Sequence, residues 1–156
     1  MRTGCRRRCR GDGGQVGGIE ALPFGLLIFV VGTLLIANAW AVVDAKFATD
    51  AAARQAVRTF VEADDPARAR SEATAAGLAA VQAHGRDPER ATIQAVGDPQ
   101  LIRCERATFE AVYEVPALSL PFIGGYGRAP FRVRSSHSEL VDPFRSGVAG
   151  SAEDCL

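Results

Sequence analysis

Residues 21–43 read ALPFGLLIFVVGTLLIANAWAVV and contain no charged side chain. A helix of this length, rising about 1.5 Å per residue, is long enough to cross the roughly 30 Å hydrocarbon core of a bilayer. Trp40 falls near the C-terminal end of the stretch, where an amphipathic aromatic ring favours the membrane interface. We therefore predict a transmembrane helix over residues 21–43, surrounded by lipid, with Trp40 at the interface.

The charges that flank this stretch predict its orientation. Five of the first ten residues are arginine and none is acidic, whereas Asp44, Lys46 and Asp50 follow the stretch. Because positive charge is retained on the cytoplasmic side, we expect residues 1–20 to form a basic cytoplasmic leader. The residues after 43 then lie outside the cell membrane, which the chain crosses once. Over all 156 residues, 18 Lys+Arg balance 18 Asp+Glu, and this neutrality gives no reason to expect nucleic-acid binding.

Helical spacing continues beyond the apolar stretch. Residues 44–63 contain no Gly or Pro and place small or apolar side chains at helical intervals: Ala45, Ala48, Ala52, Ala56 and Phe60. We expect one long helix from Leu22 to Glu62, with residues 44–63 as its amphipathic extension. Asp65 is a good N-cap and Pro66 a good first helical residue, so a second helix is predicted from Pro66 to about His84.

The pattern then changes to strands. Three are expected: Ala91 to Val96, Leu101 to Val115 with a bulge near Glu105–Arg106, and Arg128 to Val141. Alternation in the second strand turns one set of side chains toward the core: Ala107, Phe109, Ala111, Tyr113 and Val115. In the third strand we expect Phe131 and Val133 to face inward. The predicted fold is α+β, with residues 64–156 forming an extracytoplasmic head that has one further helix and a three-stranded antiparallel sheet.

Two segments of the head lack a regular pattern. Residues 116–127, PALSLPFIGGYG, set apolar side chains among Pro and Gly. We interpret this apolar segment as folding back on the sheet or contacting the membrane, rather than binding a partner protein. The tail over residues 142–156 contains Gly and Ser and is expected to be irregular.

The four cysteines divide by compartment. Cys104 and Cys155 fall outside the membrane, where disulfides persist, and their pairing would close a loop of about 50 residues. Two unpaired thiols are the alternative. Cys5 and Cys9 fall in the leader, and their spacing lacks the CxxC pairs of a zinc site. We expect no metal and no cofactor.

No catalytic motif is visible. The chain has no GxSxG, P-loop, HExxH or dinucleotide fingerprint, and its two histidines, His84 and His137, fall on different elements. His84 is explained by a favourable charge at a helix C-terminus. We expect a protein that is not an enzyme.

Glu20 stands immediately before the apolar stretch. A carboxylate at that depth is costly unless it is paired or lies at a helix N-terminus. An acid at the start of a helix in the interface needs no special role. Its setting suggests one, because a basic leader, glycines, Glu20 and an unbroken apolar helix follow each other in that order.

In this arrangement the sequence resembles type IV prepilin-like proteins, in particular the TadE-like pilus-assembly family of tight-adherence pili. The matching stretch is RGDGGQVGGIEALPFGLLIFVVGTLLIANAWAVVDAKFATDAAARQAVRTFVEA, residues 10–63, and the later FRVRSSHSELVDPFRSG, residues 131–147, is also similar. The resemblance implies a membrane-anchored, pseudopilin-like component in assembly of tight-adherence type pili or a related secretion machine. It also implies pilin-like or other pilus-assembly partners and self-association through the N-terminal helix.

The resemblance further implies leader cleavage by a prepilin peptidase after a Gly, with Glu at the fifth mature position pairing with the amine of a neighbouring subunit. Here the residue before the expected cut is Gln15, and cleavage after Gly14 would put Glu20 at the sixth position. Glu20 is the predicted assembly carboxylate and Gly14 the candidate cleavage residue. The alternative function is a single-pass, signal-anchored extracytoplasmic binding domain with no pilus role, in which Glu20 is dispensable.

Overall fold

The computed structural model describes residues 21–116, 118–120, 124–126 and 131–155. Helix α1 spans Ala21–Glu62 and helix α2 spans Pro66–Ala83. Five strands follow: β1 Ala91–Ala95, β2 Arg106–Val115, β3 Leu118–Leu120, β4 Gly124–Tyr126 and β5 Phe131–Leu140. Short 3₁₀ helices cover Pro88–Arg90 and Ala152–Cys155. The predicted α+β fold, with a long apolar N-terminal helix, one further helix and a three-stranded antiparallel sheet, is confirmed.

The chain divides into two compact units, Met1–Ile36 and Ala37–Leu156. The described part of the first unit is helix alone. Its large apolar side chains are exposed: Leu22, Phe24, Leu26, Leu27, Ile28, Phe29, Val30, Val31, Leu35 and Ile36. A helix that is apolar all round requires a membrane or a partner to cover it, because water does not solvate such a surface favourably.

The second unit is built on the sheet β1-β2-β5, in which both pairings are antiparallel. The alternation predicted for β2 is confirmed, since its five inward residues are all buried: Ala107, Phe109, Ala111, Tyr113 and Val115. The C-terminal half of α1 buries mostly small residues: Ala45, Ala48, Thr49, Ala52, Ala53, Ala56, Val57, Phe60 and Val61. The rings of Phe60 and Phe109 lie 5.4 Å apart, which places the end of α1 over the inner face of the sheet.

Gly77 lies where α1, α2 and β1 come closest. A Cβ at this position would lie 3.1 Å from side-chain atoms of Ile93 and 3.3 Å from the carbonyl oxygen of Ala52. Small residues on the facing surfaces therefore allow the two helices and the strand to pack closely. The α2 start is as predicted, because Asp65 is the N-cap and accepts a hydrogen bond from the backbone N–H of Ala67 at 2.9 Å.

The second strand is shorter than predicted. It begins at Arg106 rather than Leu101, and the bulge expected near Glu105 is instead a turn that contains Cys104 at φ +67°. The backbone N–H of Cys104 donates to the Val141 carbonyl at 3.1 Å, and Ile102 forms an isolated parallel bridge with Ala149. The change of phase in the sequence therefore marks a reversal of the chain before the strand, not an extra residue within it.

The third strand of the sheet, β5, is described over Phe131–Leu140, and the part of the predicted strand before Phe131 lies outside the described residues. Phe131 pairs with the buried Val115 of β2 and so lies on the inward face as predicted, but 57% of this residue is exposed, whereas Val133 is partly buried against the core. Phe131 belongs to an edge strand, so only β2 flanks it in the main sheet among the described residues. Side chains of the apolar segment 116–127 lie outside the described residues from 117 onward, and only the backbone pairing of β3 with β4 is seen there.

Candidate membrane and assembly segment

The apolar part of α1 is the strongest functional feature. The helix is long and apolar enough to cross a membrane, and its most apolar stretch has no residue buried among the described residues. The Thr33 hydroxyl donates a hydrogen bond to the Phe29 carbonyl of the same helix at 2.8 Å, so this polar group has a partner within the apolar stretch. At Gly25 and Gly32 a Cβ would meet no described atom within 4 Å apart from the adjacent residues and the backbone of the same helix. Another helix can therefore approach the backbone closely there.

Trp40 lies on α1 as the sequence predicts, and 71% of it is exposed. It belongs to the second unit, together with the half-exposed Val43 that ends the apolar stretch. Three residues further on, Lys46 turns back toward the sheet. The helix thus passes from apolar to charged side chains within a few residues of Trp40.

Arg86 fixes the beginning of the amphipathic extension. Its guanidinium donates to the Asp44 carboxylate at 2.8 Å and to the Ala41 carbonyl at 2.9 Å, and its Cζ lies 5.8 Å from the centre of the Tyr113 ring. The Arg86 side chain is mostly buried, so these contacts tie α1, the end of α2 and β2 together. Sequence reasoning missed this residue, because nothing in the sequence pairs positions that are 42 residues apart.

A second polar contact lies on the other side of α1. The Lys46 ammonium donates to the Ser135 hydroxyl at 2.7 Å and to the Arg134 carbonyl, and Thr49 contacts the Ser135 hydroxyl at 3.4 Å. Thr49 and Ser135 are both buried. Since Arg134 lies on the edge strand, Lys46 occupies one of the backbone acceptors that this edge would otherwise offer.

The far end of α1 is capped by Arg145. Its guanidinium donates to the carbonyls of Glu62 at 2.5 Å and Ala63 at 2.8 Å, and also to that of Val61. These carbonyls lie in the last turn, where the helix leaves its acceptors unpaired and where the dipole favours a cation. Arg145 therefore anchors the irregular tail to the helix end, a role that the sequence did not predict.

The tail is also held by a disulfide. Cys104 and Cys155 lie at disulfide distance, with their Cα atoms 5.0 Å apart, as the compartment argument predicts. Arg103 adds hydrogen bonds to the carbonyls of Arg145 at 2.9 Å and Gly150 at 2.8 Å. The tail is thus irregular as predicted except for the 3₁₀ helix Ala152–Cys155, and contacts with the turn before β2 hold it in place.

The outward face of the extension forms a shallow cavity of about 380 Å³. Its lining includes an exposed aromatic ring and several charged side chains: Phe47, Asp50, Arg54, Arg58, His84 and Glu139. Asp50 and Arg54 form an ion pair at 2.6 Å, as the i,i+4 spacing allows. This mixed surface is suited to contact with another polar and apolar surface rather than to enclosing a small molecule.

Glu20, Gly14 and the leader cysteines Cys5 and Cys9 lie outside the described residues. His84 is the C-cap residue of α2, and His137 lies opposite Phe109 on β5. Among the described residues, no group of three or more His, Cys, Asp or Glu side chains is placed to hold a metal ion. The chain was compared with family models, curated proteins and solved structures, and none of them matches it.

Proposed function

We propose that this protein is a membrane-anchored, pseudopilin-like component in the assembly of tight-adherence type pili or a related secretion machine. The observation that carries the proposal is the contrast along α1. No residue of its most apolar stretch is buried, whereas its second half is the centre of a small folded head. Such a helix requires lipid or other apolar helices around it and presents the head on one side of the membrane.

The proposed orientation puts the head outside the cell membrane and residues 1–20 in the cytoplasm. The arginine-rich N-terminus supports it through the retention of positive charge inside. The paired Cys104 and Cys155 support it as well, because disulfides persist in oxidising compartments.

Association is proposed to occur through α1, with Glu20 as the assembly carboxylate. A carboxylate beside lipid is stabilised when a neighbouring cation, such as the terminal amine of another subunit, pairs with it. The open backbone at Gly25 and Gly32 and the exposed outward face of the extension supply surfaces for neighbouring helices. Partners would be further copies of this chain or pilin-like proteins, and a prepilin peptidase would act near Gly14.

The test is crosslinking in native membranes of wild type, Glu20→Gln and Glu20→Ala. We expect crosslinked oligomers from the wild type and a marked loss of them in both variants. Glu72→Gln is the matched control, because it removes an exposed carboxylate of α2 and should leave the crosslinks unchanged. Monomer alone in wild-type membranes would contradict the proposal. Oligomers that persist in both Glu20 variants would instead favour the tethered binding domain.

A further inference from the structure

We propose that the head has a second membrane contact, formed at the Phe131 end of the sheet, which rests on the neutral lipid interface beside Trp40. The inference rests on the membrane anchoring within the proposed function. It does not depend on pilus assembly. Trp40, Phe131 and all the contacts used below belong to the second unit.

The contacts between α1 and β5 give the direction of the strand. Lys46 reaches the Arg134 carbonyl, and Thr49 reaches the Ser135 hydroxyl. Further along, the rings of Phe60 and Phe109 lie 5.4 Å apart, and Phe109 pairs with His137 on the strand. Residue numbers therefore increase in the same direction in the helix and in the strand, and Phe131 lies on the side of Arg134 that faces the apolar stretch.

The distances place Phe131 level with the end of that stretch. Three residues separate it from Arg134, or about 10 Å of strand at roughly 3.3 Å per residue. The same distance along α1 from Lys46 is about six or seven residues at 1.5 Å each, which leads to Trp40 or its neighbour. An independent contact agrees: Arg86 joins the Ala41 carbonyl to the Tyr113 ring, and Tyr113 pairs with Val133, two residues from Phe131.

At this end of the sheet an exposed aromatic side chain stands among charged side chains that pair with each other. Phe131 is 57% exposed although it is a large apolar side chain. The nearest arginines on β5 are paired, Arg132 with Glu114 at 3.1 Å and Arg134 with Glu110 at 3.5 Å.

These features indicate that a bilayer interface covers Phe131. A bilayer interface is already adjacent through Trp40, and an aromatic ring at the same level gains from entering it. Because the charges are paired, the contact needs no anionic lipid, and we expect it with phosphatidylcholine alone and with little dependence on salt. The head would then be held against the membrane at two points, which limits its tilt about the helix exit.

The experiment uses the full chain in phosphatidylcholine vesicles whose acyl chains carry bromine near the headgroup, which quenches nearby tryptophan. Trp40 is the chain's one tryptophan, so the wild type reports on the helix exit. In a Trp40→Phe background, Phe131→Trp reports on the proposed contact. Phe144→Trp is the matched control, because Phe144 is 85% exposed and lies next to Arg145 at the far end of α1.

We expect Phe131→Trp to lose emission to an extent comparable with wild-type Trp40, and Phe144→Trp to lose none. Quenching of Trp40 without quenching at Phe131→Trp would overturn the inference while leaving the anchor intact. A blue-shifted but unquenched signal at Phe131→Trp would assign the surface to a protein neighbour and would also overturn it. If wild-type Trp40 is not quenched, the membrane anchoring on which this inference rests is contradicted. The crosslinking of the Glu20 variants is a separate test, which bears only on assembly.

Discussion

The two halves of α1 form one continuous helix but need different surroundings. Residues 21–43 carry large apolar side chains on all sides, and Phe29, for example, is 70% exposed. Residues 44–62 bury mainly alanines, with Phe60 as the large exception. The first half needs an apolar environment from outside the chain, whereas the second receives it from β2 and α2.

Residue size, as much as hydropathy, therefore determines which surroundings suit each half of the helix. Bulky side chains suit lipid, which has no fixed shape to fit. Alanines at helical spacing suit a folded core, because they let α2 and the sheet approach until Gly77 lies near the Ala52 carbonyl. Substitutions placed in matching positions of the two halves should therefore have unequal effects on the head.

The largest expected effect is at the aromatic contact. Phe109→Ala removes a fully buried ring that packs on Phe60, and should lower the free energy of unfolding by about 3–5 kcal/mol. Denaturant titration of the full chain in detergent micelles measures it. Phe29→Ala, in the exposed half, should leave unfolding of the head unchanged. Equal losses from the two variants would mean that the halves are not distinct.

The disulfide comes next. Cys104→Ser and Cys155→Ser, singly or together, should cost about 3–4 kcal/mol, since the bridge closes a long loop and restricts the unfolded chain. A reductant added to the wild type should give the same loss in a denaturant titration. Cys5→Ser and Cys9→Ser are the controls, with no loss expected. A reduced wild type as stable as the oxidised one would contradict the role given to the tail.

An added side chain tests the close packing of the second half. Ala52→Leu puts three extra carbons where α1 faces α2, and should cost about 1–3 kcal/mol by forcing the helices apart. Ala39→Leu makes the same change at an exposed site within the apolar stretch and should not destabilise the head. Thermal unfolding of both variants by circular dichroism measures the difference. A neutral Ala52→Leu would show that the interface between the helices is loose.

The smallest effect concerns the start of α2. The pKa of Asp65 lies below the ordinary carboxyl value, chiefly because its side chain accepts the Ala67 N–H and secondarily because Arg68 donates to it. Its stabilising contribution is present above the unfolded carboxyl pKa of about 4 and is lost as the pH falls through the lower folded value. Asp65→Ala should therefore melt slightly below the wild type at pH 7, and the gap should close as the pH falls through the lowered pKa of Asp65. A gap that is independent of pH would contradict this origin.

The sequence predicted the elements whose signals are local. The absence of charge over residues 21–43 predicted the apolar helix, alternation predicted the buried face of β2, and compartment predicted the pairing of Cys104 with Cys155. Each of these depends on neighbouring residues or on a general rule about where disulfides persist. The α2 start was predicted for the same reason, since Asp65 and Pro66 are adjacent cap signals.

The remaining contacts depend on how distant elements approach each other. Arg86 and Arg145 bind helix carbonyls and a carboxylate far away in sequence. The identity of an arginine does not indicate which acceptor it binds. The turn at Cys104 was missed because a non-glycine residue at positive φ has no sequence signature. For Phe131, alternation predicted the inward face but not the exposure, because a sequence pattern does not tell how far along an edge strand the core extends.

Thiol labelling of the unaltered protein tests whether α1 separates a cytoplasmic N-terminus from a head outside the membrane. Intact spheroplasts are treated with a membrane-impermeant maleimide, before and after an impermeant reductant, and the labels are counted by intact mass. We expect no label at first and two after reduction, at Cys104 and Cys155. Cys5 and Cys9 should be reached only after permeabilisation, or be missing with a cleaved leader. Labelling of Cys5 or Cys9 from outside, or of Cys104 and Cys155 only after permeabilisation, would overturn the proposed orientation of α1.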